Sequence, residues 1–433
     1  MIQTKYGKVS GIDHGWYEEY RGIPYAKAPV GELRWKAPQE PEPFEGVYDA
    51  TAFQAKCWQR TGSSPPWDKD FYDDPNFEKP LSEDCLYLNI WAPKEASGCP
   101  VAFWIHGGAF MGGSGAEKEF DGAEYARRGV IFVSIQYRLG IFGFLAHPWL
   151  TEESGFSGNY GILDQIAALK WVYENIEAFG GDPDNITVFG QSAGAMSTQT
   201  LISTPLTGHM IAKAILQSGG SYGVGLHRDM PLKEEESYGK IFEEVLGVSF
   251  LKEMREIPAD KLFELSGAFM GKAMPLAKGL FLTPNMDGRL LSGGYYELMD
   301  KGEIKDIPYM VGSTKDDIMV SPDMKDPMER PLYKGSIAFS EKLEALGRKP
   351  AFVYSFERDL PGDAQGAWHS AELWYMMGTL GRCWRPWEEH DYVLSARMLD
   401  CWTNFMKTGD PNGAGEAAWR PCTKADPFVM VLD

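Results

Sequence analysis

The five residues Gly190-Gln191-Ser192-Ala193-Gly194 set a serine between two glycines, directly after the run Ile186-Thr187-Val188-Phe189 and before the helix-like stretch Ala195-Met196-Ser197-Thr198-Gln199-Thr200-Leu201. A strand that turns sharply into a helix lifts the serine hydroxyl above the sheet edge. It also aims the next backbone N–H, that of Ala193, at the same space. Such a geometry suits acyl transfer, provided that a base, an orienting carboxylate and an oxyanion site stand nearby. In a chain with 48 glycines the pattern alone is weak, so its partners decide.

Where a serine of this kind works with an acid and a histidine, the two follow it in that chain order, on loops after later strands. Of the seven histidines, His209, His227, His369 and His390 follow Ser192. His369 ends the loop Asp363-Ala364-Gln365-Gly366-Ala367-Trp368-His369 behind the strand-like run Ala351 to Phe356, whereas His390 opens the final helix as a solvated residue. His369 is therefore the expected base. For the acid, Gly312-Ser313-Thr314-Lys315-Asp316-Asp317 offers two adjacent carboxylates that cannot both face one imidazole; Asp317 leads Asp316, and Asp287 comes third. The segment His106-Gly107-Gly108-Ala109-Phe110 follows the run Val101 to Ile105, where small residues let backbone N–H groups reach an oxyanion. Read by itself it is equally a flexible glycine loop.

The elements that must hold these residues are legible as buried apolar runs: 101–105, 130–135, 186–189, 214–216, 307–311 and 351–356. Apolar positions 162, 163, 166, 169, 172, 173 and 176 repeat at helical spacing between the second and third runs. Strand, helix, strand implies parallel pairing. A final helix is expected from Asp391 to Met406, and residues 225–280 read as a helical excursion over the sheet. The expectation is one α/β domain over 1–433. With 433 residues, 44% hydrophobic, the chain can bury a large core, and its net charge of −19 repels phosphate backbones and anionic lipid. Nucleic-acid and membrane partners are thus not expected. The amino terminus lacks a basic region followed by an apolar core, which predicts a cytoplasmic protein. The six cysteines read as buried thiols, with a bridge between Cys57 and Cys85 left open.

Several further segments carry a resemblance. They are Tyr20-Arg21-Gly22-Ile23-Pro24-Tyr25-Ala26, Gly31-Glu32-Leu33-Arg34-Trp35, Ser82-Glu83-Asp84-Cys85-Leu86-Tyr87-Leu88-Asn89-Ile90, Gln136 to Phe144, Phe179 to Thr187, and Trp368-His369-Ser370-Ala371-Glu372-Leu373. In this order, and with the elbow, they make the chain resemble the type-B carboxylesterase and cholinesterase-like family of α/β-hydrolases nearly end to end. The resemblance implies the α/β-hydrolase fold, a central mostly parallel sheet flanked by helices with helical excursions over the active site. It implies Ser192 as nucleophile, Asp317 as acid, His369 as base, and the N–H groups of Gly108, Ala109 and Ala193 as oxyanion hole. It also implies a Cys57–Cys85 bridge, an Arg34–Glu83 pair, no cofactor and no metal. The expected reaction is hydrolysis of a small-molecule carboxylic ester, of short acyl or aryl type, through an acyl-serine. The alternatives are a non-catalytic binding protein on this scaffold and a lipase acting on long-chain glycerides. Against the lipase stands the polar segment Gln59 to Asp70, where an apolar lid would be wanted.

Four departures from the family pattern stand out. The acid is Asp317 where glutamate is usual, so its loop must come closer to His369. The third oxyanion-loop residue is Ala109, not glycine, and the residue before Ser192 is Gln191, not glutamate, which removes a charge that would attract cations. The interval from Asp317 to His369 is short, which predicts a more open roof. Phe110, Met111, Met196, Trp368, Trp374 and Tyr375, adjacent in sequence to these loops, are candidates for a pocket lining, although each taken singly reads first as ordinary core.

Overall fold

The computed structural model describes residues 1–62, 67–413 and 419–433. Its centre is a ten-stranded sheet built from β1 (Ile12–Asp13), β2 (Tyr17–Pro24), β3 (Tyr87–Pro93), β4 (Cys99–Ile105), β5 (Ile131–Ile135), β6 (Gly181–Gln191), β7 (Lys213–Gln217), β8 (Tyr309–Thr314), β9 (Phe352–Phe356) and β10 (Met430–Leu432). The spatial order is β10-β9-β8-β7-β6-β4-β5-β3-β2-β1. Pairing is parallel from β10 through β5 and antiparallel among β5, β3, β2 and β1. The six apolar runs are all strands, whereas β1 to β3 and β10 lie outside them. The antiparallel strands read weakly because polar residues such as Glu18, Glu19 and Asn89 interrupt them.

Side chains alternate across the parallel strands. Val101, Phe103, Val133, Val188, Leu216 and Val311 belong to one buried cluster, and Trp104, Phe132, Phe189, Ile215 and Met310 to another on the opposite face. Both faces are therefore covered, which explains why the strands read as continuous apolar runs. Helices α1 (Tyr160–Asn175) and α2 (Ala193–Ser203) supply Ile162, Leu169 and Leu201 to the first cluster, while α6 (Glu389–Thr408) supplies Met398, Trp402 and Phe405 to the second. The expected excursion is present as α3 (Leu232–Leu246) and α4 (Ala259–Ala273), and α5 (Pro331–Ala345) lies between β8 and β9.

Polar links pin the segments between strands. Cys57 and Cys85 are bridged, the pairing that the composition left open and the resemblance implied. Arg34 forks onto Glu83 with both distances at 2.6 Å, and its third nitrogen donates to the carbonyls of Arg255 and Ile257. Behind β5, the Arg138 guanidinium donates twice to Asp164 of α1, at 2.8 and 2.7 Å, and the Arg138 backbone N–H donates to the same carboxylate. Both side chains are almost wholly buried. Removing one partner would strand the other charge without water, so Asp164→Ala should lower stability in chemical denaturation by about 3–5 kcal/mol. A loss below about 1 kcal/mol would mean that the guanidinium has another partner in reserve.

Candidate active site

β4 is the point where the chain turns to build on both sides: β5 lies on one flank and β6 on the other. Loops leaving the carboxyl ends of such strands face a common crevice. Ile105 pairs in register with Gly190, and Gln191 with Gln217, so the loop after β4 and the turn after β6 emerge side by side.

Ser192 has φ 57° and ψ −124°, a strained conformation for a residue with a Cβ, and it opens α2. Its N–H donates to the Gln217 carbonyl at 2.8 Å. Gly190 and Gly194 are dictated by space: a Cβ on Gly190 would lie 2.6 Å from the Ile105 carbonyl oxygen, and one on Gly194 would overlap that same oxygen. Across from the turn, Gly108, Ala109 and Phe110 have φ of 101°, 53° and 61°, three left-handed residues in a row. A turn closed by the Met111 and Gly112 N–H groups on the Gly108 carbonyl holds them. The N–H groups of Gly108 and Ala109 donate to no acceptor among the described residues, and both residues line the cavity that contains Ser192. Ala109 accommodates the third position without glycine, through an αL conformation.

His369 and Asp317 meet with Nδ1 to Oδ1 at 2.5 Å. The shorter acid is brought into reach by direct backbone contact between the two loops. Asp316 N–H donates to the Ala367 carbonyl at 3.0 Å and Ala367 N–H donates to Asp316 Oδ2 at 3.0 Å. Asp316 is thus a loop clasp, half exposed, and only Asp317 faces the imidazole. Burial pushes the Asp317 carboxyl up. The positive His369 ring and hydrogen bonds from His369 and the Thr314 N–H outweigh that burial and hold the carboxyl below its usual range. Asp287 instead accepts from Asn159 and from the N–H groups of Arg289 and Leu290, and His390 is exposed at the start of α6.

The other ring nitrogen, His369 Nε2, has the Gln191 side-chain nitrogen 3.3 Å away. With the ring proton on Nδ1 toward Asp317, the amide donates to the Nε2 lone pair. No hydrogen bond joins Ser192 Oγ to Nε2 among the described residues, where the Gln191 amide stands instead. Behind the pair lies Glu372, fully buried. Burial first, then the Asp317 charge, push its carboxyl up to about 7. The sequence contains Glu372 within a recognised segment, yet nothing in its spacing marks a second carboxyl beside the first.

The cavity over Ser192 and His369 has a volume of about 560 Å³. Of the candidate lining only Met111 is in its wall; Phe110, Met196, Trp368, Trp374 and Tyr375 are packed into the core. The apolar wall comes from Phe71, Phe120, Phe263, Met270, Met274 and Ile318, which no local pattern connects to the loops. Gln59 to Gly62 and Trp67 reach the wall too, while residues 63–66 of the segment read for a lid lie outside the described residues.

These features match known proteins from end to end. The carboxylesterase family model matches residues 1–343 and 332–433. The chain is 40% identical to the para-nitrobenzyl esterase of Bacillus subtilis (strain 168), covering 95% of this chain and 90% of that one. It is 30% identical to carboxylesterase 4A of Bos taurus, covering 100% and 91%. A solved PNB esterase superposes with a TM-score of 0.87 at 31% identity, covering 100% of this chain and 95% of that chain. Among the described residues no helix is long and apolar enough to cross a membrane. With the α/β-hydrolase sheet, the strained serine turn and these matches in agreement, the chain belongs to the carboxylesterase family of carboxylic-ester hydrolases.

Proposed function

We propose that ester hydrolysis here runs through an acyl-Ser192 intermediate. Ser192 Oγ attacks the ester carbonyl while His369 Nε2 takes its proton. The N–H groups of Gly108, Ala109 and Ala193 hold the resulting oxyanion. Collapse expels the alcohol, which leaves with the proton from His369; water then attacks the acyl-serine, gives its proton to Nε2, and the carboxylic acid departs as Ser192 is reprotonated. Asp317 fixes the tautomer that leaves Nε2 free and stabilises the imidazolium. For the first step Ser192 Oγ must take the lone pair that Gln191 occupies. The observation that carries this reading is the Asp317–His369 contact at 2.5 Å on the wall of the same cavity as the strained Ser192. The cavity, lined by Phe71, Phe120 and Phe263, suits short acyl or aryl esters, and the likeness to a para-nitrobenzyl esterase points the same way.

Ser192→Ala should abolish hydrolysis of a nitrophenyl ester with the fold intact, and His369→Ala should cost at least about a hundredfold. Asp317→Asn should favour the wrong tautomer and cut the rate by about 10⁴, with Asp316→Asn nearly silent. Initial rates of the four variants decide the matter. A crippled Asp316→Asn beside an active Asp317→Asn would reverse the choice of acid.

The two buried carboxyls are held in different states, Asp317 charged and Glu372 neutral up to about pH 7. Between the ordinary 4.5 and about 7 the folded protein keeps a proton on Glu372 that the unfolded chain has released. Stability contributed by this group therefore falls as pH rises through that window and is level above it. Glu372→Gln removes the loss. Its melting temperature relative to wild type should climb across the window, by the equivalent of at most about 3 kcal/mol, then stay constant. A difference that does not vary with pH would show that Glu372 does not titrate there.

A further inference from the structure

The cavity wall contains a second ionisable cluster that the ester-cleaving residues do not use. Immediately after the oxyanion loop, Glu117 and Glu119 are 6% and 1% exposed, and both line the cavity. The Glu119 carboxyl and the Tyr72 hydroxyl approach the Glu117 carboxyl. Yet Glu117 Oε1 and Glu119 Oε2 have no hydrogen-bond partner among the described residues. Lys56 lines the same wall and is 6% exposed. Its ammonium makes no hydrogen bond among the described residues, for its ion pair with Glu78 stands at 3.7 Å. Lys118, between the two glutamates in sequence, is turned away onto Asp73.

A cluster whose role is purely structural closes its own hydrogen bonds. This one leaves two buried carboxyl oxygens without a hydrogen bond in residues that line a cavity, beside a lysine held only by its 3.7 Å ion pair with Glu78. We propose that Glu117, Glu119 and Lys56 form a polar subsite that receives a hydroxyl group of the ester, so that hydroxyl-bearing esters are turned over in preference to their hydrocarbon isosteres. Donors and acceptors select the ligand. Burial pushes the Glu117 carboxyl up, and burial with the Glu117 charge pushes Glu119 up, so the pair resists full ionisation. An ammonium cannot accept from the lysine and a carboxylate has no proton to donate to the carboxyl oxygens, whereas a hydroxyl both donates to a carboxyl oxygen and accepts from the lysine. Phe71 and Phe120 in the same wall would enclose the carbon chain that bears it. A hydrocarbon in the same place leaves these buried groups without partners, which is how such sites reject the analogue.

This inference rests on the acyl-transfer reading only in taking an ester as the ligand. The test compares kcat/KM for ω-hydroxyalkyl, n-alkyl and ω-ammonioalkyl esters of matched length, varied on the alcohol and on the acyl side. At one chain length the hydroxyl ester should exceed its hydrocarbon partner by about tenfold to a hundredfold. Glu119→Gln and Lys56→Met should bring that ratio toward one. The wild-type ratio decides even if a variant fails to fold, and calorimetric binding of the same esters to Ser192→Ala gives the preference without turnover. A ratio of one at every length, a preference for the ammonium ester, or a ratio that survives in both folded variants would overturn the subsite. Absence of turnover with a normal binding preference would instead overturn the acyl-serine reading alone.

Discussion

The carbonyl oxygen of Ile105 is the fixed point around which the site is assembled. Gly190 and Gly194 both come within overlap distance of it, and Gly107 sits where a Cβ would be 2.8 Å from the Gln191 carbonyl. Backbone therefore packs on backbone where β4 and β6 end, and no side chain intervenes. Ser192 is forced into the left-handed region because the strand must reverse within this space, and the strain is carried by the ladder on both sides and by the Ser192 N–H bond to Gln217. Gly108, Ala109 and Ser192 line one cavity. A larger residue at Gly107, Gly190 or Gly194 would meet backbone atoms, which is why these positions cannot be exchanged for larger residues singly.

Charge is distributed around His369 with equal economy. Asp317 is shut from solvent, but three donors converge on it: His369 and the N–H groups of Thr314 and Ile318. Glu372 lacks such an array and stays neutral up to about 7. On the opposite side of the ring, Gln191 supplies an amide where a glutamate would add a third negative centre. Below about pH 7 the imidazole thus faces one full negative charge, placed at Nδ1. That single charge is enough to fix which nitrogen bears the proton, and it leaves on the other the lone pair that the Gln191 amide meets.

Sequence made the strands and the row of loops legible because each depends on neighbours in the chain. Alternation of Val101, Phe103 and Ile105 with Ala102 and Trp104, or glycine spacing around Ser192, is a local pattern with a local cause. Pattern gave Asp317 no more than a lead over Asp316, since what distinguishes them is the clasp between Asp316 and Ala367, a contact between separate loops. Aromatic residues next to the loops were left between wall and core for a related reason. Trp368, Trp374 and Tyr375 lie near His369 in sequence, but Trp368 packs on Phe71, and the short helical turn that carries Trp374 and Tyr375 points them into the core beside Phe71 and Phe356. Adjacency in the chain placed them near the site; only packing decided that they face away from it.

The cavity wall obeys the opposite logic from the row it encloses. Phe71 and Tyr72 arrive from the segment closed by the Cys57–Cys85 bridge, Glu117 and Phe120 from the stretch after the oxyanion loop, Phe263 and Met270 from α4, and Ile318 from beyond the acid. None of these is fixed by strand register. The bridge, the Arg34 clamp on Glu83 and on the carbonyls of Arg255 and Ile257, and the packing of α4 against α3 fix them instead. The clamp ties the segment around Cys85 to the excursion that carries α4, so two walls from distant parts of the chain are held against each other by one guanidinium. Chemistry and selectivity are thereby mechanically separate. A substitution in the wall can reshape what the cavity admits without moving the Ile105 carbonyl, and the serine, imidazole and carboxylate keep their register because the sheet, not the wall, positions them.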